Sequence, residues 1–120
     1  DSLLIFDDFE SIEDNNIKKA VLHFKDSIFQ LGRSWNIYII SIQHKSLGGP
    51  KSVVDICESN IYTIFPAYNL GEAKNLVRRY CSYSNDQMER VFDEETRKER
   101  WLAIIRPNIF ITSKYIKIID

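Results

Sequence analysis

Leu3-Leu4-Ile5-Phe6-Asp7-Asp8 is the stretch on which the reading of this chain turns. Four consecutive apolar residues without polar alternation predict a strand buried on both faces, as in a parallel sheet with helices on either side. The pair of carboxylates then falls at the strand's C-terminal end. In open α/β sheets that edge is where ligands bind, so Asp7 and Asp8 become candidate functional residues. The competing reading is an acidic loop that simply closes a core strand.

The flanking sequence extends the pattern. Ile17, Ala20, Val21, Phe24, Ile28 and Leu31 fall at helical spacing, which predicts a helix from Asn15 to about Leu31. Lys18, Lys19, Lys25 and Asp26 are assigned to its solvated face. Asp14, Asn15 or Asn16 caps the start and Gly32 ends the helix. Asn36–Ile42, rich in β-branched residues, reads as a second buried strand that finishes at Gln43-His44. A loop containing Gly48-Gly49-Pro50 leads to a short helix, Lys51–Glu58, and a third strand, Ile61–Phe65, is stopped by Pro66. Strand, helix, strand, helix, strand is the alternation of a parallel α/β sheet.

Beyond it, Leu70, Ala73, Leu76, Val77 and Tyr80 predict another amphipathic helix. Asn85–Lys98 reads as a charged helix anchored by Met88, Val91 and Phe92. Trp101–Arg106 and Tyr115–Ile119 read as closing strands, with a turn at Arg106-Pro107-Asn108 and an extended stretch over Asn108–Thr112. No repeat or linker interrupts the chain, so residues 1–120 are assigned to one domain.

Composition limits the function classes. With 44% hydrophobic and 12% aromatic residues the chain can build a core, and disorder is excluded as the default. A formal net charge of -1 provides no general attraction to phosphate backbones, so any nucleic-acid contact must be local. Two cysteines, Cys57 and Cys81, make neither a disulfide framework nor a metal-ligand spacing, and an intracellular, reducing setting is expected. No run approaches the roughly 18 to 20 apolar residues of a membrane helix. The opening Asp1-Ser2-Leu3-Leu4 runs straight into a strand, which is the look of a cut through a domain.

Three words in order, Leu3–Asp8, Gly32-Arg33-Ser34-Trp35-Asn36-Ile37 and Ser41-Ile42-Gln43, resemble the viral genome-packaging ATPases of the FtsK/HerA P-loop superfamily. The type is that of large DNA viruses related to poxviruses and their smaller parasites. The resemblance spans about Leu3–Phe65 and ends at Pro66. It implies the latter part of a three-layer P-loop core, mainly a parallel sheet, from the Walker B strand onward. Asp7 would then hold Mg²⁺ through water, and Asp8 would orient or deprotonate the water that attacks ATP. Gln43 would be the sensor at the end of the central strand, and Arg33 an arginine finger acting on a neighbouring subunit's nucleotide. Without the resemblance, Arg33 reads as a cation answering a helix dipole and Gln43 as a solvent-facing strand end.

The implied parent is an ATP-driven motor that moves double-stranded DNA into a viral capsid at a portal or vertex. It would work as a homo-oligomeric ring, in the virion or the host cytoplasm. Lys45 and Lys51 are the candidate DNA contacts, although such lysines are commonly just solvated. His23 and His44 sit on different elements and do not form a metal-ligand set. Arg78-Arg79 and Arg97-Lys98-Glu99-Arg100 read as solvated faces.

The departure from the family is that G-x-x-x-x-G-K-[ST] occurs nowhere in these residues, so this segment is not expected to hydrolyse ATP by itself. Half a parallel sheet should also leave an open edge and an uncovered face. The alternatives are a cellular translocase or helicase of the same superfamily and a non-catalytic α/β binding module.

Overall fold

A computed structural model describes residues 1–43 and 57–120, and the chain divides into two compact units, Asp1–Ser59 and Asn60–Asp120. Together they are mixed α/β, with one parallel sheet of two strands and one antiparallel sheet of four. The expected loop at Gly48-Gly49-Pro50 lies outside the described residues. So does the expected helix Lys51–Glu58, save Cys57 and Glu58, which are helical.

In Asp1–Ser59, β1 (Ser2–Asp7) pairs in parallel with β2 (Ile37–Ile42), from Ser2 opposite Ile37 to Asp7 opposite Ile42. Because side chains alternate along a strand, this register sorts the sheet into two faces. Leu4, Phe6, Ile37 and Ile39 are half-buried on one face; the Phe6 ring lies 6.0 Å from that of Phe24 on α1 (Asn15–Leu31). Leu3, Ile5, Tyr38, Ile40 and Ile42 point the other way and are exposed, Ile5 at 61% and Tyr38 at 64%. The expectation of strands buried on both faces is therefore corrected: one face is partly covered and the other is open.

The crossover from β1 to β2 runs through α1, whose bounds match its apolar spacing. Asp14 caps it, its Oδ1 accepting from the backbone N–H of Asn16 at 2.8 Å and of Ile17 at 3.1 Å. Gly32 follows the helix in right-handed conformation, so left-handed freedom is not what it provides. It is needed for space, since a Cβ there would lie 2.9 Å from the Ile37 carbonyl oxygen. After a 3₁₀ turn over Gly32–Trp35, the chain reverses at Asn36, whose φ of 53° is left-handed.

One assignment on α1 is overturned. Lys25 is not on the solvated face but is 1% exposed, with its Nζ 5.1 Å from the Phe9 ring centre and 5.8 Å from that of Phe29. It also pairs with Asp26 at 3.5 Å. A lysine can be buried this way because its methylene stem packs as apolar surface while rings and a carboxylate meet the charge.

In Asn60–Asp120 the strands β3 (Ile61–Ile64), β4 (Leu102–Ile105), β5 (Ile109–Ile111) and β6 (Ile116–Ile118) form an antiparallel sheet in sequence order. The segment expected as the third parallel strand is thus the edge of a different, antiparallel sheet, with Ile61 opposite Ile105 and Ile64 opposite Leu102. This departs from a continuous P-loop sheet. A strand of four residues carries no sequence mark of its partner's direction, because either ladder uses the same β-branched residues.

One face of this sheet carries Tyr62, Ile64, Leu102, Ile104 and Phe110. Ring contacts tie it to α2 (Leu70–Cys81) through Tyr62 and Tyr80 at 5.4 Å, and to the segment after α2 through Tyr83 and Phe110 at 5.9 Å. The opposite face holds Ile61, Ile116 and Ile118, exposed, and Ile105, Ile109 and Ile111, half-buried.

The expected helix Asn85–Lys98 is shorter. α3 (Asn85–Val91) starts in a capping box between Ser84 and Gln87 and stops at Phe92. The Asp93 carboxylate then accepts from the Thr96 backbone N–H at 2.9 Å, beginning a 3₁₀ turn over Thr96–Lys98 in place of further α-helix. Met88, Val91 and Phe92 are buried, as their spacing predicts.

Candidate active site

The parallel register brings three of the candidate residues to one edge. Asp7 is the last residue of β1 and lies opposite Ile42, so Gln43 leaves β2 at the same C-terminal edge as Asp7 and Asp8. Asp7 and Asp8 are exposed and Gln43 is half-buried, with its Nε2 donating to Ser41 Oγ at 3.2 Å.

The backbone beyond the carboxylates is held in a defined turn. Asp8 has φ 50° and ψ 27°, a left-handed conformation uncommon for a residue with a side chain. Its carbonyl accepts from the Ser11 hydroxyl at 2.7 Å and the Ser11 backbone N–H at 3.1 Å, closing a short 3₁₀ turn over Phe9–Ser11. Two lysines of α1 anchor this turn: Lys18 Nζ donates to the Glu10 carbonyl at 2.6 Å, and Lys25 stacks over buried Phe9. Sequence spacing assigned both to a solvated face. The signal that was available is Phe9, an apolar residue directly after two acids that needs something to cover it.

Arg33 lies elsewhere. It sits in the 3₁₀ turn that precedes β2, and the Ser2 N–H donates to the Asn36 carbonyl at 3.1 Å, which fixes that turn at the starting end of the strands. Six residues of β2 at about 3.3 Å each separate it from Gln43 by roughly 20 Å. Arg33 is exposed and does not share an edge with Asp7, Asp8 and Gln43 of its own chain.

Among the described residues no group of three or more His, Cys, Asp and Glu is arranged to hold a metal ion. Magnesium bound with a nucleotide asks for less, one or two carboxylates with phosphates and water completing the octahedron. An exposed strand-end Asp7 beside Asp8 fits that demand. His23 is exposed on α1, whereas His44, Lys45 and Lys51 lie outside the described residues.

The other chemical groups have structural employment. Burial pushes the Cys81 thiol up to about 11, the nearby Arg106 guanidinium opposing it, so this thiol is not a ready nucleophile. Arg106 lies over the Tyr80 ring at 4.0 Å. Arg97 Nε donates to the Phe92 carbonyl at 2.6 Å, and Lys98 pairs with Glu94 at 3.1 Å. Arg78 and Arg79 are exposed, Arg78 donating to Asn85 Oδ1 at 3.1 Å. Among the described residues no helix is long and apolar enough to cross a membrane.

No protein-family model matches the chain, and no solved structure matches it. Among curated proteins it is similar to "Uncharacterized protein V3" of Sputnik virophage, with 27% identity over 106 residues. The match covers 87% of this chain and 42% of the virophage protein, so the chain spans less than half the length of that relative.

Proposed function

We infer that this chain is the Walker B half of a P-loop ATPase whose parent protein drives double-stranded DNA into a viral capsid. The observation that supports the reading is the parallel register: Asp7 opposite Ile42 sets two carboxylates and the Gln43 amide at one strand edge, joined by a helical crossover. Ligands of open parallel sheets bind at that edge. The virophage relative agrees with a viral setting, whether virion or host cytoplasm, and its greater length leaves room for a phosphate-binding loop outside the matched region.

In this reading a bound magnesium nucleotide supplies the transferable phosphoryl group and part of its charge neutralisation. Asp7 would be the carboxylate that holds the magnesium. Asp8, in its left-handed turn at the strand end, accepts a proton from the attacking water. Gln43 orients that water from the adjacent strand.

Arg33, roughly 20 Å away along β2, serves the nucleotide of a neighbouring subunit, which makes the working form a homo-oligomeric ring. Lys45 and Lys51, which flank Gly48-Gly49-Pro50 in the sequence, remain the proposed contacts to the DNA backbone.

The test is magnesium-dependent ATP hydrolysis by the parent protein carrying the phosphate loop, wild type against Asp8→Asn. Turnover is expected to fall by a factor of about 100 or more with nucleotide binding retained. A wild-type parent that neither binds nor hydrolyses ATP, with or without DNA, replaces this reading with that of a non-catalytic α/β binding module.

A further inference from the structure

The covered face of β2 reads Ile37, Ile39, Ser41, so the third position departs from the apolar pattern one step before the candidate site. A serine is a poor choice there for the strand alone. β-branched apolar residues suit a half-buried strand face better, and a hydroxyl turned toward covered surface costs free energy unless it is hydrogen-bonded. Ser41 is hydrogen-bonded, and its partner is the side chain two residues on, Gln43, whose Nε2 donates to Ser41 Oγ at 3.2 Å. Residues i and i+2 of a strand lie on the same face, so the contact needs no distortion of the backbone. Ser41 itself stands opposite Phe6, whose ring is 6.0 Å from Phe24 of α1. The hydroxyl therefore sits on a backbone fixed by the sheet, on the half-buried face that Phe6 shares.

We propose that Ser41 is a positioning residue for Gln43, holding the amide plane so that a fixed edge of it meets the attacking water of ATP hydrolysis. An unrestrained glutamine side chain rotates about three bonds, and its amide presents either the acceptor Oε1 or the donor Nε2 to a given side. Committing one N–H to Ser41 sets the amide's orientation. Orienting a nucleophile is a demand on geometry, and small losses of alignment have large effects on rate. Ser41 touches neither substrate nor metal and acts only through Gln43. This inference rests on the ATPase reading of the strand edge.

The test uses the full-length parent and measures kcat and KM for magnesium ATP in four variants: Ser41→Ala, Ser41→Thr, Gln43→Ala and the double Ser41→Ala/Gln43→Ala. Ser41→Ala is expected to lower kcat about tenfold with KM changed less than about twofold. Ser41→Thr, which keeps the hydroxyl, restores most of kcat. In the Gln43→Ala background, Ser41→Ala has no further effect on kcat, because the two residues act as one unit. Unchanged kcat in Ser41→Ala overturns the proposal, and so do losses that multiply in the double variant. ATP turnover in the wild type alongside either result leaves the ATPase reading standing, whereas a wild-type parent without turnover removes both.

Discussion

The two units bury their apolar residues to different degrees. In Asn60–Asp120, Leu76, Val77, Val91, Phe92, Leu102, Ile104 and Phe110 are fully enclosed, and α2 and α3 supply the first three of them. In Asp1–Ser59 only Phe9 and Ile28 are buried among the described apolar residues, while Leu3, Ile5, Tyr38, Ile40 and Ile42 share an exposed sheet face. Ile17, Phe24 and Leu31 of α1 are exposed as well. Parallel sheets occur almost only with both faces covered, whereas an antiparallel sheet tolerates one open face. The open face of the β1–β2 pair is therefore a departure for its class, and the open isoleucine face of β3–β6 is not. The antiparallel unit thus encloses a core of its own among the described residues, and the parallel pair encloses little.

The sharpest way to break this comparison is to remove one large side chain from each unit. Phe110→Ala should cost about 3–5 kcal/mol, read from the urea midpoint at constant m, since the ring is fully buried against Tyr83. Ile5→Ala, on the exposed face, should cost less than about 0.5 kcal/mol. Equal costs would mean that the Leu3, Ile5, Tyr38, Ile40 and Ile42 face is as well covered as the core of the second unit. Lys25→Ala is intermediate: losing the covered stem and its two ring contacts should destabilise by about 1–3 kcal/mol, more than expected of a surface lysine.

A pH measurement probes the second unit by itself. Burial would raise the Asp93 carboxyl, but hydrogen bonds from Lys117 and Thr96 outweigh it and hold the group below its ordinary 3.8. A carboxylate depressed in the folded state contributes stability that is present above its unfolded pKa and lost as pH falls through the folded value. Stability carried by Asp93 should thus be complete above 3.8 and disappear below it. Asp93→Asn should flatten that acid limb in a urea series taken between neutral and acid pH, and an unchanged acid limb would show that the contact carries no linkage.

Asp8→Gly separates folding from the proposed chemistry. Glycine adopts a φ of 50° without strain, so folding should change by no more than about 1 kcal/mol, in either direction, by thermal unfolding. ATP turnover of the parent should nonetheless be lost.

How far the sequence reaches follows the same division. α1 was legible because a six-member apolar spacing and Gly32 agreed on its extent, although the spacing left the cap open among Asp14, Asn15 and Asn16, of which Asp14 caps it. Gly32's reason was not, since close approach to the Ile37 carbonyl is a tertiary fact. The parallel sense of β1 and β2 followed from the strand–helix–strand order, whereas the place of Gln43 beside Asp7 and Asp8 was implied only by the family resemblance. The partner of β3 did not follow, as Ile61–Ile64 fits either ladder and its neighbour β4 begins at Leu102. α3 ended early because Asp93 bonds its own turn, a competition that apolar spacing does not register. Lys18 and Lys25 were misplaced because charge was equated with exposure, although a long stem can be buried when its tip finds partners.

The measurement that bears most directly on the proposed function is ATP hydrolysis by mixtures of the parent, one population carrying Arg33→Ala and the other Asp8→Asn. Arg33 and the carboxylates stand at opposite ends of the same strands, so each variant lacks what its neighbour retains. The account predicts little turnover from either variant alone and a clear recovery on mixing. Mixtures as inactive as the separate variants would contradict it, placing Arg33 outside the reaction or within its own subunit's site.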